Sequence, residues 1–300
     1  MPDLPGRRLL LVHAHPDDES STTGATIARY VAEGAQVTLV TCTLGELGEV
    51  VDDTLGHLEA GDSLARHRLD ELSQAAAALG LRDTVRLGGD GRYHDSGMVS
   101  HDDLGPARPP DQVAETAFWR ADLLETALAL VPVLRDRRPQ VLVTYDPFGT
   151  YGHPDHIQAH RVAMYAAQLA GSPYRLDLGQ PWTVARVLWI TFGADDLRTL
   201  LDRAAAAGLE LDFQLDPEAL PAMVSPQDRL AARIPVAPWV EAKRQALASH
   251  RSQVDLSDPF WTLMTLGDES QAECYLLGAG VPLPGPGPAD DLFAGLPVQG

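Results

Sequence analysis

Residues 8–13 read RLLLVH, and residues 14–26 continue AHPDDESSTTGAT. The first stretch is short and almost wholly apolar, which predicts a strand buried on both faces. The second is polar and leads into a helical stretch near 24–33 that Gly34 ends. The alternation repeats outward from there. QVTLVTC at 36–42 is a β-rich run. After a long loop at 45–61, residues 62–79 place Leu64, Leu69, Leu72, Ala76 and Leu79 at helical spacing and stop at Gly80. A third strand is expected at 84–87, running into the turn that holds Gly88, Gly89 and Gly91. A long helix follows over 111–137 with Pro132 kinking its end, then a fourth strand at 141–145 (VLVTY) and a helix at 157–169. Strands spaced by helices over one stretch predict an α/β fold: a Rossmann-like, mainly parallel sheet flanked by helices, with right-handed crossovers.

Beyond residue 171 the pattern changes. A strand is expected at 184–191, a helix at 194–207, an antiparallel piece within the proline-bearing stretch 209–238, and a helix at 239–250. The tail at 278–288 (GAGVPLPGPGP) reads as Pro/Gly punctuation. The expected organisation is an α/β catalytic core over 1–172, with a smaller C-terminal region over 173–300 packed on it and shaping the cleft.

Composition narrows the function classes. The chain has 300 residues, 42 acidic against 23 basic, and a net charge of −19. Nucleic-acid binding needs clustered Lys and Arg; Lys243 is the sole lysine and no basic block exists. No apolar run approaches a membrane span. Arg7 and Arg8 precede an apolar stretch that reaches His13 too soon for a signal peptide. Two cysteines, Cys42 and Cys274, make neither a disulfide framework nor a multi-cysteine metal site and read as small buried hydrophobes. The expected compartment is the cytoplasm.

In open α/β sheets ligands bind beyond the carboxyl ends of the strands. The loop after the first strand carries HAHPDDE at 13–19, and the loop after the fourth carries YGHPDH at 151–156. Either loop alone is explained as a turn and helix cap. Two such loops at one rim supply imidazoles and carboxylates suited to zinc, and a site of two His and one carboxylate with open positions also suits iron(II). His15 and Asp18 are three apart, a spacing at which a turn aims both at one ion. Asp17 then points elsewhere and is free to act on an attacking water. No G-x-G-x-x-G follows the first strand, and neither a G-x-S-x-G elbow nor a P-loop is present.

HAHPDDE at 13–19 together with GHPDH at 152–156 resembles the LmbE-like (PIG-L) superfamily of zinc-dependent N-deacetylases. TCTLGELGEV at 41–50, GRYHDSGM at 91–98, VTYDPFGTYGHPDH at 143–156 and KRQALASHRSQ at 243–253 are similar to its branch that deacetylates N-acetylglucosaminyl-inositol in mycothiol biosynthesis. The branch of thiol S-conjugate amidases is less similar in the first motif and the loop after the second strand. The resemblance implies hydrolysis of the acetamide of a small amino-sugar to a free amine plus acetate, with one Zn2+ per chain, or Fe2+ in its place. It implies His15, Asp18 and His156 as metal ligands, Asp17 as general base, and His153 and Tyr151 facing the acetyl oxygen. It also implies Glu49, Arg68, Asp95 and Met98 as lining the sugar pocket. Phe148, Thr150 and the 51–65 stretch depart from the family pattern and would reshape the rim.

Other side chains are read from position. Asp155 is expected to accept a hydrogen bond from a neighbouring imidazole. His153 is expected to titrate near neutrality and to steady the oxyanion or protonate the leaving amine. His13 ends an apolar strand and reads as a core histidine; His57, His67, His94, His101 and His160 read as exposed or helix-face residues. Without the resemblance Arg68 is a solvated helix charge and Met98 a core residue. Lys243 and His250 are expected to tie the helix at 239–250 to the core, and the K…SHRSQ pattern leaves a site role open. A metal-binding domain without turnover would need the ligands but neither Asp17 nor His153. A homo-oligomer is compatible with the sequence, which fixes no assembly state.

Overall fold

The computed structural model describes residues 6–58, 60–99, 106–206, 208, 222–266 and 271–297. In chain order the elements are β1 (Arg8–His13), α1 (Asp18–Ala32), β2 (Gln36–Thr41), α2 (Asp62–Ala78), β3 (Asp83–Arg86), α3 (Leu123–Arg137), β4 (Val141–Thr144), α4 (Gly149–Gly152), α5 (Pro154–Gly171), β5 (Arg186–Gly193), α6 (Ala194–Ala206), β6 (Val224–Ser225), β7 (Ala232–Pro235), α7 (Val240–Ser249), α8 (Pro259–Met264) and β8 (Ala272–Gly280). The sheet runs β3-β2-β1-β4-β5-β8-β7, with β6 beside β5. Its first five strands are parallel, and β8 is antiparallel to both β5 and β7.

The apolar runs explain the centre. β1 and β4 are buried along their whole length because helices cover the sheet. α3 packs on α5, while α7 lies against α1 and α2. Leu9, Leu10 and Leu11 pair with Val141, Leu142 and Val143, so β1 and β4 end side by side. The chain winds outward from β1 to β3 and crosses back to β4, so the gap beyond β1 and β4 is a topological switch point. β5, β7 and β8 continue the same sheet. Among the described residues no helix is long and apolar enough to cross a membrane.

Three expectations need correction. The helix expected over 111–137 forms only as α3, because Asp122 caps it, accepting the Glu125 N–H at 2.9 Å, while Ala117 and Ala121 are extended. α1 starts at Asp18, earlier than its polar residues suggested. Its Ser21, Thr22 and Thr23 hydroxyls fold back onto the Asp18 and Glu19 carbonyls, so they accompany the helix instead of breaking it. The first two tail glycines, Gly278 and Gly280, belong to β8. A Cβ at Gly278 would lie 2.3 Å from the Trp189 indole, so this glycine marks a close approach within the sheet. Residues 209–221, and His101, lie outside the described residues.

Candidate active site

The loops leaving β1 and β4 bring the two His/Asp stretches together. The His15 main-chain N–H donates to Asp18 Oδ2 at 2.8 Å, and His15 Nδ1 lies 3.3 Å from that oxygen. From the other loop, His156 Nε2 comes to 3.4 Å from Asp18 Oδ1. The His15 ring centroid lies 4.6 Å from that of His153 and 5.3 Å from that of His156. One ring nitrogen of each falls within 4.8 Å of the others. The second loop reaches this position through Gly149, at φ 69°, where a Cβ would sit 2.7 Å from Ile157 N and 2.9 Å from His156 Cβ.

These residues fit a divalent cation. His156 Nε2 is buried without a hydrogen-bond partner among the described residues, a position that water or an ion must fill. His15 Nε2 lies 3.2 Å from Asp155 Oδ2 and donates to it, which leaves Nδ1, beside Asp18, as the ligating nitrogen. Asp155 is held in turn by the Ser96 N–H at 2.9 Å and by the Ser96 hydroxyl. Burial pulls the His15 imidazole down, but Asp95, Asp155 and Asp18 outweigh it and hold the ring well above its ordinary range. Burial pushes Asp18 up; His156 and His15 overcome that and keep it well below the usual carboxylate range.

Tyr145, which the sequence reading passed over, touches two of the expected ligands. Its ring stacks on His156 with centroids 4.1 Å apart and planes at 16°. Its hydroxyl accepts the Ala14 N–H at 2.9 Å and bonds the Asp18 carboxylate. Tyr145→Phe keeps the stack and removes these bonds and the contact of the hydroxyl with His13 Nδ1 at 3.3 Å, so metal affinity should fall about tenfold to a hundredfold. Competition with a chelating dye measures this, and unchanged affinity would show that the hydroxyl does not orient Asp18.

Asp17 stands apart from the ligands, in backbone that an L residue rarely adopts, at φ 111°. Its Oδ2 accepts from Arg68 Nη2 at 2.9 Å. Burial raises its carboxyl to about 6, against the pull of Arg68. His153 caps α5, its Nδ1 accepting the Asp155 N–H at 3.1 Å, which leaves the ring proton on Nε2. Burial, then His15 and His156, push its pKa well below the ordinary value, so the expected titration near neutrality gives way to a neutral N–H donor. Burial and the surrounding carboxylates keep the Tyr151 phenol protonated, and its ring packs edge-on against His156 at 5.1 Å.

Residues 10–167 match the family model described as PIG-L, GlcNAc-PI de-N-acetylase. The chain belongs to the PIG-L family. It is 48% identical over 308 residues to a 1D-myo-inositol 2-acetamido-2-deoxy-alpha-D-glucopyranoside deacetylase of Kribbella flavida, covering 99% of this chain and 100% of that one. A Nocardioides protein of the same description is 49% identical over 299 residues, covering 97% and 99%. Among solved structures, the N,N'-diacetylchitobiose deacetylase of Pyrococcus horikoshii superposes with a TM-score of 0.61 at 19% identity, over 90% of this chain and 83% of that one, and shares the fold. The chain is thus a PIG-L deacetylase, an amide hydrolase.

The other expected pocket residues of this PIG-L chain divide. Asp95 is buried, its Oδ1 3.8 Å from His15 Nε2, and its carboxylate accepts the Gly97 and Leu47 N–H groups. Arg68 is no solvated charge: it is buried, donates to the Gly45 carbonyl at 2.8 Å and to the Pro16 carbonyl, and leaves Nε without a partner among the described residues. Met98 is 49% exposed, which removes its core reading. Glu49 is exposed, whereas Glu46, not singled out, is buried and accepts the Asp95 N–H at 2.9 Å. His13 is buried, with Nε2 2.9 Å from Thr23 Oγ1. His57 is exposed, and His67, His94 and His160 are half-buried.

Proposed function

We propose that this chain hydrolyses the acetamide of 1D-myo-inositol 2-acetamido-2-deoxy-α-D-glucopyranoside to acetate and the free amine, using one zinc ion held by His15, Asp18 and His156. The observation that carries the substrate is the near full-length identity, 48%, to a deacetylase of that description. When bound, the cation polarises the acetyl carbonyl and lowers the pKa of water. Asp17 takes the proton of the attacking water as the new C–O bond forms. The His153 Nε2–H and the Tyr151 hydroxyl donate to the acyl oxygen as charge develops there. The C–N bond then breaks, and the nitrogen leaves with the proton that Asp17 received. Two buried free cysteines, Cys42 and Cys274, favour a reducing compartment, so the cytoplasm is the proposed location.

An acetyl group gives a pocket little to discriminate, so selectivity must come from the hydroxyls of the rest of the ligand, those of the inositol included. In this reading the Asp95 carboxylate, 3.8 Å from His15, pairs with one of those hydroxyls. The glucosaminyl-inositol substrate should therefore exceed N-acetylglucosamine in kcat/KM by about a hundredfold, because unpaired polar groups penalise the truncated ligand. Side-by-side kcat/KM values test this. Equal values would leave a general amino-sugar deacetylase, and a faster thiol S-conjugate would favour an amidase.

A further inference from the structure

Asp17 occupies its unusual backbone conformation because something holds it there. Its main-chain N–H donates to Glu19 Oε2 at 3.0 Å. Glu19 is gripped from far along the chain: His250, just past the end of α7, places Nε2 at 2.8 Å from Glu19 Oε1, and since a carboxylate only accepts, the imidazole donates. Both side chains are fully buried, and His250 Nδ1 has no partner among the described residues. The imidazole's hydrogen bonding is thus directed at Glu19.

The same segment reaches the other end of Asp17. The Ser252 N–H and hydroxyl both donate to the Glu71 carboxylate at 2.7 Å, and Glu71 lies one turn from Arg68 on α2. The Val51 N–H donates to the Ser252 carbonyl at 2.9 Å, tying in the loop after β2. Main chain and carboxylate of Asp17 therefore both trace back to residues 250–252, through Glu19 and through the helix that carries Arg68.

We propose that Glu19 and His250 are positioning residues that hold the Asp17 carboxylate in line for proton transfer, a role that rests on the reading of Asp17 as the general base. Neither touches substrate, being fully buried, so their effect passes through Asp17. The test measures kcat, KM, metal content and thermal unfolding of zinc-loaded His250→Leu, His250→Asn and His250→Gln, each in the native and the Asp17→Asn background. His250→Leu and His250→Asn, which cannot reach Glu19, should lose about tenfold to a hundredfold in kcat with KM and metal content unchanged. His250→Gln, whose amide donor takes the place of Nε2, should recover most of that loss. In the Asp17→Asn background no His250 substitution should cost more, since its effect has already been removed. Additive losses there, or equal losses in the Gln and Leu variants, would overturn the proposal and leave His250 as packing. Should His250→Leu fail to fold, the smaller and polar His250→Asn carries the same comparison. Native turnover by Asp17→Asn alone would overturn the base reading, and the positioning role with it.

Discussion

Exhaustive chelation should abolish amine release, and one equivalent of zinc per chain should restore it. The argument begins with His156 Nε2, a buried nitrogen that finds no hydrogen-bond partner among the described residues and faces Asp18 Oδ1 at 3.4 Å. An acetamide is a poor electrophile, and without a Lewis acid the site offers it only Asp17 and two neutral donors. The loss should therefore reach the detection limit. His15 sets the pH dependence of reloading. Its neighbours hold its pKa well above the ordinary 6.5, and a proton on its ring competes with an ion for the same nitrogen. Metal affinity should thus weaken as pH falls through that raised pKa, and reloading at pH 6 should need more zinc than at pH 8. Two nitrogens and one carboxylate also suit iron(II), so anaerobic reloading with each metal decides which gives the higher kcat. Full turnover by protein with no measurable metal would end the hydrolytic-metal reading.

What the sequence made legible was whatever rests on local pattern. RLLLVH and VLVTY are apolar without alternation, and a strand covered on both faces is what such runs become. HPDDE and GHPDH sit where those strands end, so the cluster of His15, Asp18 and His156 follows from the parallel pairing of β1 with β4. What stayed hidden depends on partners distant in the chain. The end of β8 looked like a tail because Gly278 is explained only by the Trp189 indole lying against it, and Gly280 by its approach to the Ala185 backbone. Arg68 looked like a solvated charge because its acceptors, Gly45, Pro16 and Asp17, belong to two other loops. Glu46 and Glu49 are three apart in one polar loop, and nothing local says which is buried against Asp95. Tyr145 ends an apolar strand like any aromatic, and its stacking on His156 appears only once both loops are in place.

Asp17→Asn should bind metal as the native chain does and lose about 10²–10⁴-fold in kcat, the range for a missing general base. The amide keeps the size of the carboxylate and an oxygen for Arg68 Nη2, so substrate binding and the neighbouring ligands stay in place. What it cannot do is accept a proton. The native pH profile should carry the same signature: burial raises the Asp17 carboxyl, a bound cation pulls it back down, and the protonated form is inactive. Turnover should fall about tenfold per pH unit below the pKa of Asp17 in the metal-loaded enzyme, and the residual rate of Asp17→Asn should lack that limb. Stability runs the opposite way. A carboxyl whose pKa rises on folding binds its proton more tightly when folded, so it lowers stability as pH climbs from about 4 to about 6 and keeps the penalty above that. The amide escapes it, and Asn tolerates a positive φ well, so metal-free Asp17→Asn should unfold at a temperature no lower than the native chain at pH 7. Lower activity with equal or higher stability separates a lost base from a damaged fold. If the variant loses its metal, Asp17 is a ligand, and the base must be sought elsewhere in the cluster.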